Sequence, residues 1–310
     1  MQHARHGVRP AVTAAAAIAV TAAIALTGCA GPSAPRAART RDPAAAGPRY
    51  YVSVGDSLAR GVQPTASGDS YPTSSGYPDR IYSVLAARQP GWRLVKLGCS
   101  GETTQSMIAG GTCHYRAGSQ LAQAEQLLHS RRGQIGLITI DIGANDPNDC
   151  VVGTVSLRSI ATCLGSCLTR TEADLRQIMA GLRSAAGRHV PIIAMSYYVP
   201  ELAGWLDGKT GKEIAVLTER LVAGYNRLLA GIYRRYGARM ANVFGAFHSS
   251  DFTDMVRLAG HGLLPRNVAT VCAWTWACAS WPRGPNEHAN RVGYGVIAQA
   301  FLRADPQLSG

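Results

Sequence analysis

Three features of this 310-residue chain predict an α/β domain of three layers, with helices on both faces of a five-stranded parallel sheet. From Tyr50 onward, apolar strand-like runs alternate five times with segments of helical period. The run from Ile135 to Ile142 is nearly all apolar except for Thr139 and Asp141, as suits a central strand covered on both faces. Four small polar clusters fall just after strands, and sheets of this kind place their ligand crevice beyond the carboxyl ends of the strands.

Taken in order, Tyr51 to Val54 form the first strand, which stops at Gly55. Asp56 and Ser57 follow and lead into a helix. Ile81, Val84 and Leu85 mark the face of the next helix, and Arg93 to Leu97 make the second strand. A loop rich in Gly, Ser and Thr runs from Gly98 to Gly118. Leu121, Ala124, Leu127 and Leu128 then define a helix before the third strand, Ile135 to Ile142. After a cysteine-bearing loop, Thr171 and Asp174 resemble a capping-box start for the helix carrying Leu175, Ile178, Met179 and Leu182. Val190 to Tyr197 is the fourth strand. A long helix from about Glu213 to Tyr236 ends at Gly237, where a left-handed C-cap is favoured. Ala238 to Phe244 is a weaker fifth strand, Gly245 to Glu287 reads as irregular, and a closing helix spans about Asn290 to Arg303.

The amino terminus has a different character. Arg5 and Arg9 precede sixteen uncharged apolar and small residues, Ala11 to Leu26, too short a run for a permanent membrane span but right for a signal peptide. Leu26-Thr27-Gly28-Cys29 matches a lipobox, so Cys29 is expected to carry lipid and anchor the protein to the outer face of the cell membrane. Ordinary cleavage and secretion is the alternative. The expected organisation is a lipoprotein signal peptide over 1–28, a flexible tether rich in Ala, Pro and Arg over 29–49, and one α/β domain over 50–310. The net charge of +12 divides into +5 over residues 1–49 and +7 beyond. No run of Lys and Arg with interleaved aromatics accompanies it, so nucleic acid is not an expected partner. The protein is read as a monomer.

Eight cysteines fit an oxidising compartment. Setting Cys29 aside, nearest-neighbour pairing joins Cys99 to Cys113, Cys150 to Cys163 or Cys167, and Cys272 to Cys278. No His or Cys pair completes a zinc site around Cys163 and Cys167, and neither metal nor cofactor is expected.

The chemistry gathers around Ser57. At the end of a strand and the start of a helix, its backbone N–H lacks a partner and favours negative charge. The second cluster, Gly98 to Thr104, offers glycine N–H groups that a substrate can approach closely. The third, Gly143-Ala144-Asn145-Asp146, offers a neutral amide donor. The fourth, Gly284-Pro285-Asn286-Glu287-His288, supplies an imidazole able to take the serine proton and return it to a leaving alcohol. Any one of these has a bland reading as a turn; their shared placement at strand ends favours function.

From Tyr50 to its end the chain resembles the SGNH, or GDSL, hydrolases, through Gly55-Asp56-Ser57-Leu58, Ser100-Gly101-Glu102-Thr103, Gly143-Ala144-Asn145-Asp146, and His288 with Asn290 and Gly293-Tyr294 behind it. The tail from Cys272 to Cys278 is most like secreted actinobacterial members. The resemblance implies a flavodoxin-like fold and ester hydrolysis through an acyl-serine. It carries Ser57 as nucleophile, Gly101 and Asn145 as oxyanion donors beside the Ser57 N–H, and His288 as base. One position departs from the pattern: where the family usually has an Asp three residues before the histidine, this chain has Pro285. The Pro285 main-chain carbonyl is the first candidate for orienting His288, ahead of Asn286, Glu287, Asp251 and Asp254.

The expected substrate is a carboxylic ester, whether a lipid, a small acyl ester or an O-acetyl group on polysaccharide. A non-catalytic cell-surface binding lipoprotein on the same fold is the competing reading. Trp274, Trp276 and Trp281, with Tyr197, Tyr198 and Trp205, read equally as a substrate wall or a satellite core. His248 and His261 read as surface residues.

Overall fold

Strand β1 (Arg49–Gly55) lies between β2 (Trp92–Lys96) and β3 (Ile135–Asp141), and β4 (Ile192–Met195) and β5 (Arg239–Ala241) extend the sheet beyond β3. All four pairings are parallel, and the strand order is 2-1-3-4-5, the flavodoxin-like order. This computed structural model describes residues 47–147 and 157–309. The expected signal peptide, the lipobox with Cys29, nearly all of the tether, and Cys150 lie outside the described residues.

Hydropathy sets which strands are central. In β1, β3 and β4 almost every residue is buried, including Tyr51, Val52, Val54, Leu137, Ile138, Ile140, Ile192 and Ile193. The edge strands carry Arg93, Lys96 and Arg239, which a strand covered on both faces does not tolerate. Helix α1 (Ser57–Arg60) follows β1 directly, and α2 (Tyr77–Arg88) packs against β2. The short α3 (Thr104–Ala109) and α4 (Gln120–Ser130) pack against α5 (Leu157–Ala186), which in turn meets α6 (Gly208–Arg235). The closing helix, α9 (Arg291–Ala304), packs against α2 and β5 after the short α7 (Val243–Ala246) and α8 (Arg266–Trp274). The stack of Tyr77 on Phe301, centroids 4.6 Å apart, joins α2 to α9.

Three expectations are corrected. Thr171 and Asp174 cap nothing: α5 already runs from Leu157, and the Thr171 hydroxyl instead donates to Asp146 in the loop after β3, while Asp174 accepts from the Thr104 hydroxyl at the start of α3. The fifth strand stops at Ala241 because the Asn242 side chain accepts from the Gly245 N–H and starts α7. The segment from Gly245 to Glu287 is not irregular, since it holds a hairpin (Met255–Leu258 with Gly262–Pro265) and α8. Helix α8 is rich in β-branched and aromatic residues with modest helix propensity, and burial of Val268, Ala269 and Val271 stabilises it instead.

The disulfides Cys99–Cys113 and Cys272–Cys278 form as expected. Cys163 is also disulfide-bonded. The buried Cys167 thiol donates to the Asp146 carbonyl at 3.2 Å.

Candidate active site

In the order 2-1-3-4-5, the chain reverses direction across the sheet between β1 and β3, and it is beyond the carboxyl ends of such a switch point that sheets of this kind hold their ligand crevice. Ser57 follows β1, and Asn145 follows β3. The turn between β1 and Ser57 requires glycine at position 55: its φ is +137°, and a Cβ would sit 2.0 Å from the Asp141 carbonyl oxygen. Asp56 caps α1 by accepting from the Leu58 N–H at 3.0 Å, which leaves the Ser57 N–H without an acceptor among the described residues.

Beneath this turn lies a buried acid pair. Asp141 accepts from the Tyr77 hydroxyl through Oδ1, and through Oδ2 from the N–H groups of Ala59 at 3.2 Å and Asp56 at 3.4 Å. Burial pushes Asp56 up to about 6; burial, then the charge of Asp56, pushes Asp141 well above the carboxylate range. Asp141 is thus the hydrogen-bonded interior carboxyl that its apolar strand suggests, and it holds the Ser57 turn from below.

The second cluster is bound to the first through Gln120. Its Oε1 accepts from the Gly55 N–H at 2.6 Å, while Nε2 donates to the Gly55 carbonyl and to Glu102 Oε2, each at 2.9 Å. Gly101 adopts φ +77°, and its N–H, like that of Ser57, meets no acceptor among the described residues. The third cluster is tied to the second twice. Asn145 Nδ2 donates to the Glu102 carbonyl at 2.9 Å, and Asp146 accepts from the Thr104 N–H and hydroxyl, each at 2.7 Å. Thr171 donates to the same carboxyl at 2.7 Å, so α5 braces the loop. From α6, the Tyr225 hydroxyl donates to the Gly143 carbonyl at 3.0 Å.

His288 lies on β6 (Asn286–Ala289), which packs against α1 and so brings the imidazole to the Ser57 side of the crevice. Gln63 holds that strand: Nε2 donates to the Ala289 carbonyl at 2.7 Å, and Oε1 accepts from the Trp276 indole at 3.0 Å. Tyr198 donates to the Glu287 carbonyl at 2.7 Å. The ring is buried and its Nε2 meets no hydrogen-bond partner among the described residues. Burial pulls its pKa below the usual histidine value, and the Glu287 charge pulls it partly back.

The expectation for Pro285 is corrected. Nδ1 lies 2.8 Å from Asn286 Oδ1, and no bond to the Pro285 carbonyl is present among the described residues. The reason is strand period: in extended chain, residues i and i+2 share a face, so the Asn286 side chain stands beside the imidazole. Asp251 and Asp254 are engaged elsewhere, pairing with Arg266 at the base of the hairpin.

The aromatic residues divide between two roles. Trp274 meets Phe247 edge-on, Tyr198 stacks on Phe247, and Trp205 packs on Phe252, all as core contacts. Trp281 is 86% exposed. His248 and His261 are exposed, as expected. Gln120, Gln63 and Tyr77 went unnoticed in the sequence, because each acts on a group far away in the chain. Among the described residues no cluster of three or more His, Cys, Asp or Glu side chains could hold a metal.

Comparisons with known proteins bear on the fold and the family. The chain shares its fold with the extracellular lipase of Streptomyces rimosus, at a TM-score of 0.53 and 17% identity, covering 83% of this chain and 100% of that one. It also aligns with the acetylxylan esterase Axe2 of Geobacillus stearothermophilus, at a TM-score of 0.49 and 19% identity over 83% of this chain and 94% of that one. No curated protein matches the sequence. The pattern of the GDSL-like lipase/acylhydrolase family matches residues 53–268, from within β1 to the first turn of α8. Because that match spans well over half of the chain, the protein belongs to the GDSL-like lipase/acylhydrolase family and is an esterase or lipase of that family.

Proposed function

We propose that this enzyme hydrolyses carboxylic esters outside the cytoplasm through an acyl-serine intermediate on Ser57. As Ser57 Oγ bonds to the ester carbonyl carbon, its proton passes to His288 Nε2, and the carbonyl π pair becomes an oxyanion. The N–H groups of Ser57 and Gly101 and the Asn145 amide receive that oxyanion. Cleavage of the C–O bond then takes the proton from Nε2 to the leaving alcohol. Water repeats the sequence to release the acid and restore Ser57. The observation that carries this reading is the pair of backbone N–H groups without acceptors among the described residues, at Ser57 and Gly101, together with a buried His288, on a strand packed against α1, whose Nε2 is likewise unpartnered among those residues.

One feature bears on the acyl group. Ile214, Leu217 and Leu221 are 52, 57 and 56% exposed, and their spacing continues one face of α6 from Tyr225, which touches Gly143. This stripe leads away from the Asn145 loop and favours an acyl chain longer than acetyl. A panel of nitrophenyl esters from acetyl to long-chain, run beside acetylated polysaccharide, tests the proposal. Expected are loss of hydrolysis in Ser57→Ala and a long-chain preference that Leu217→Ser weakens. A preference for acetyl esters would redirect the substrate to O-acetyl glycans. No turnover by the folded enzyme on any ester would favour the binding lipoprotein.

The residues before Tyr50 support export and a lipid anchor at Cys29, and metabolic labelling with palmitate, abolished in Cys29→Ala, is the expected result; secretion without label would contradict the anchor.

A further inference from the structure

Asn286 accepts two hydrogen bonds on one oxygen, and that determines the chemistry of the histidine. Its Oδ1 lies 3.0 Å from the His288 backbone N–H and 2.8 Å from Nδ1. A backbone N–H only donates, so the amide atom facing it must be oxygen. The same oxygen cannot donate to Nδ1, so Nδ1 must carry the hydrogen and Nε2 the lone pair. The other end of the amide, Nδ2, donates to Ser70 Oγ at 3.3 Å, which keeps the side chain in this orientation. An amide nevertheless has no charge to offset the imidazolium that forms when His288 takes the serine proton. The nearest carboxylate is that of Glu287, with Oε1 at 3.6 Å from Nδ1 on a side chain 69% exposed. That distance is outside hydrogen-bond range but close enough for a charge to act.

We propose that the two tasks usually met by one triad acid are divided in this enzyme between neighbouring residues: Asn286 is the positioning residue that sets the imidazole tautomer, and Glu287 supplies the negative charge through space. This inference rests on His288 being the base for Ser57. Besides Glu287, the charged and titratable groups on the elements packed against β6 are Arg60 with the α1 cap Asp56, Glu201, Arg291, Tyr294 and Arg303. Of these groups, Glu287 is the one whose charge bears on the His288 proton. The division has a consequence that a buried triad acid would not show. A charge on an exposed side chain is screened by salt, so turnover should fall as ionic strength rises.

The test measures kcat, KM and their pH and salt dependence on one nitrophenyl ester for the wild type, Asn286→Leu, Asn286→Asp, Glu287→Gln and Ser57→Ala. Loss of activity in Ser57→Ala establishes the underlying reaction independently. Asn286→Leu should lower kcat by about 100-fold or more with little change in KM, since the tautomer is no longer held. Asn286→Asp should recover activity and move the rising limb of kcat/KM to higher pH. Glu287→Gln should lower kcat about fivefold, move that limb to lower pH, and abolish the salt dependence. Because Glu287 is exposed, that variant tests the idea even if Asn286→Leu folds poorly. In an enzyme whose activity depends on Ser57, a folded Asn286→Leu within threefold of wild type, or a Glu287→Gln with unchanged salt dependence, would overturn the division.

Discussion

Replacing Gln120 with leucine should unfasten the Ser57 turn from the oxyanion loop. Gln120 is fully buried and makes three hydrogen bonds, two to Gly55 and one to Glu102. The Gly55 carbonyl keeps its bond from the Cys99 N–H at 3.0 Å, so it survives the change. The Gly55 N–H and Glu102 Oε2 lose a partner in a buried setting. Each orphaned group costs about 1–3 kcal/mol, giving a destabilisation of about 2–6 kcal/mol, a large share of the stability typical of a domain. At about 4 kcal/mol the melting temperature of a domain of this size falls by roughly 8–16 °C. Urea unfolding followed by far-UV circular dichroism measures the change directly. Ester hydrolysis well below the new midpoint should also drop, because Gly55 precedes Asp56 and Ser57 and Glu102 follows Gly101. A loss of stability under about 1 kcal/mol with unchanged turnover would refute the reasoning that Gln120 joins the two clusters.

Two further outcomes follow from the same geometry. The folded-state pKa of Asp56 is raised by burial from 3.8 to about 6, so its contribution to stability is fully present below 3.8 and is lost as pH rises through about 6. Asp141, also raised by burial, acts in the same direction, so unfolding free energy should fall between pH 4 and pH 7, by on the order of 3 kcal/mol from Asp56 alone, and Asp56→Asn should make the fall shallower; a wild-type profile rising over this window would contradict it. Removing the Cys99–Cys113 bridge by double serine substitution opens a loop with a sequence separation of 14 and should cost about 3 kcal/mol, read as a lowered urea midpoint, with no change counting against it.

What sequence made visible, and what it hid, divides along chain distance. The continuous apolar runs of β1, β3 and β4 announced a sheet covered on both faces, and the strand-end rule then carried Ser57, Gly101 and Asn145 to one rim without any coordinates. Two disulfides joining cysteines 6 and 14 positions apart were legible for the same reason of proximity. Gln120 was not, because its partner Gly55 is 65 residues away and a buried glutamine has no local signature. Thr171 and Asp174 imitate a capping box over four residues, yet their partners are Asp146 and Thr104 across the fold. Asn286 ranks behind Pro285 in the sequence because neighbours of His288 in an extended loop need not point towards Nδ1. Pairing with Thr275 and Trp276 makes residues 286–289 a regular strand, whose period of two places Asn286 beside His288.

The whole reaction rests on Ser57 as the nucleophile. Incubating the folded enzyme with a fluorophosphonate and mapping the adduct by peptide mass spectrometry tests it most directly. One modification is expected, on the peptide containing Ser57, absent in Ser57→Ala and much slower in His288→Ala. A folded wild-type enzyme that takes up no probe, or carries it on another residue, would contradict the account.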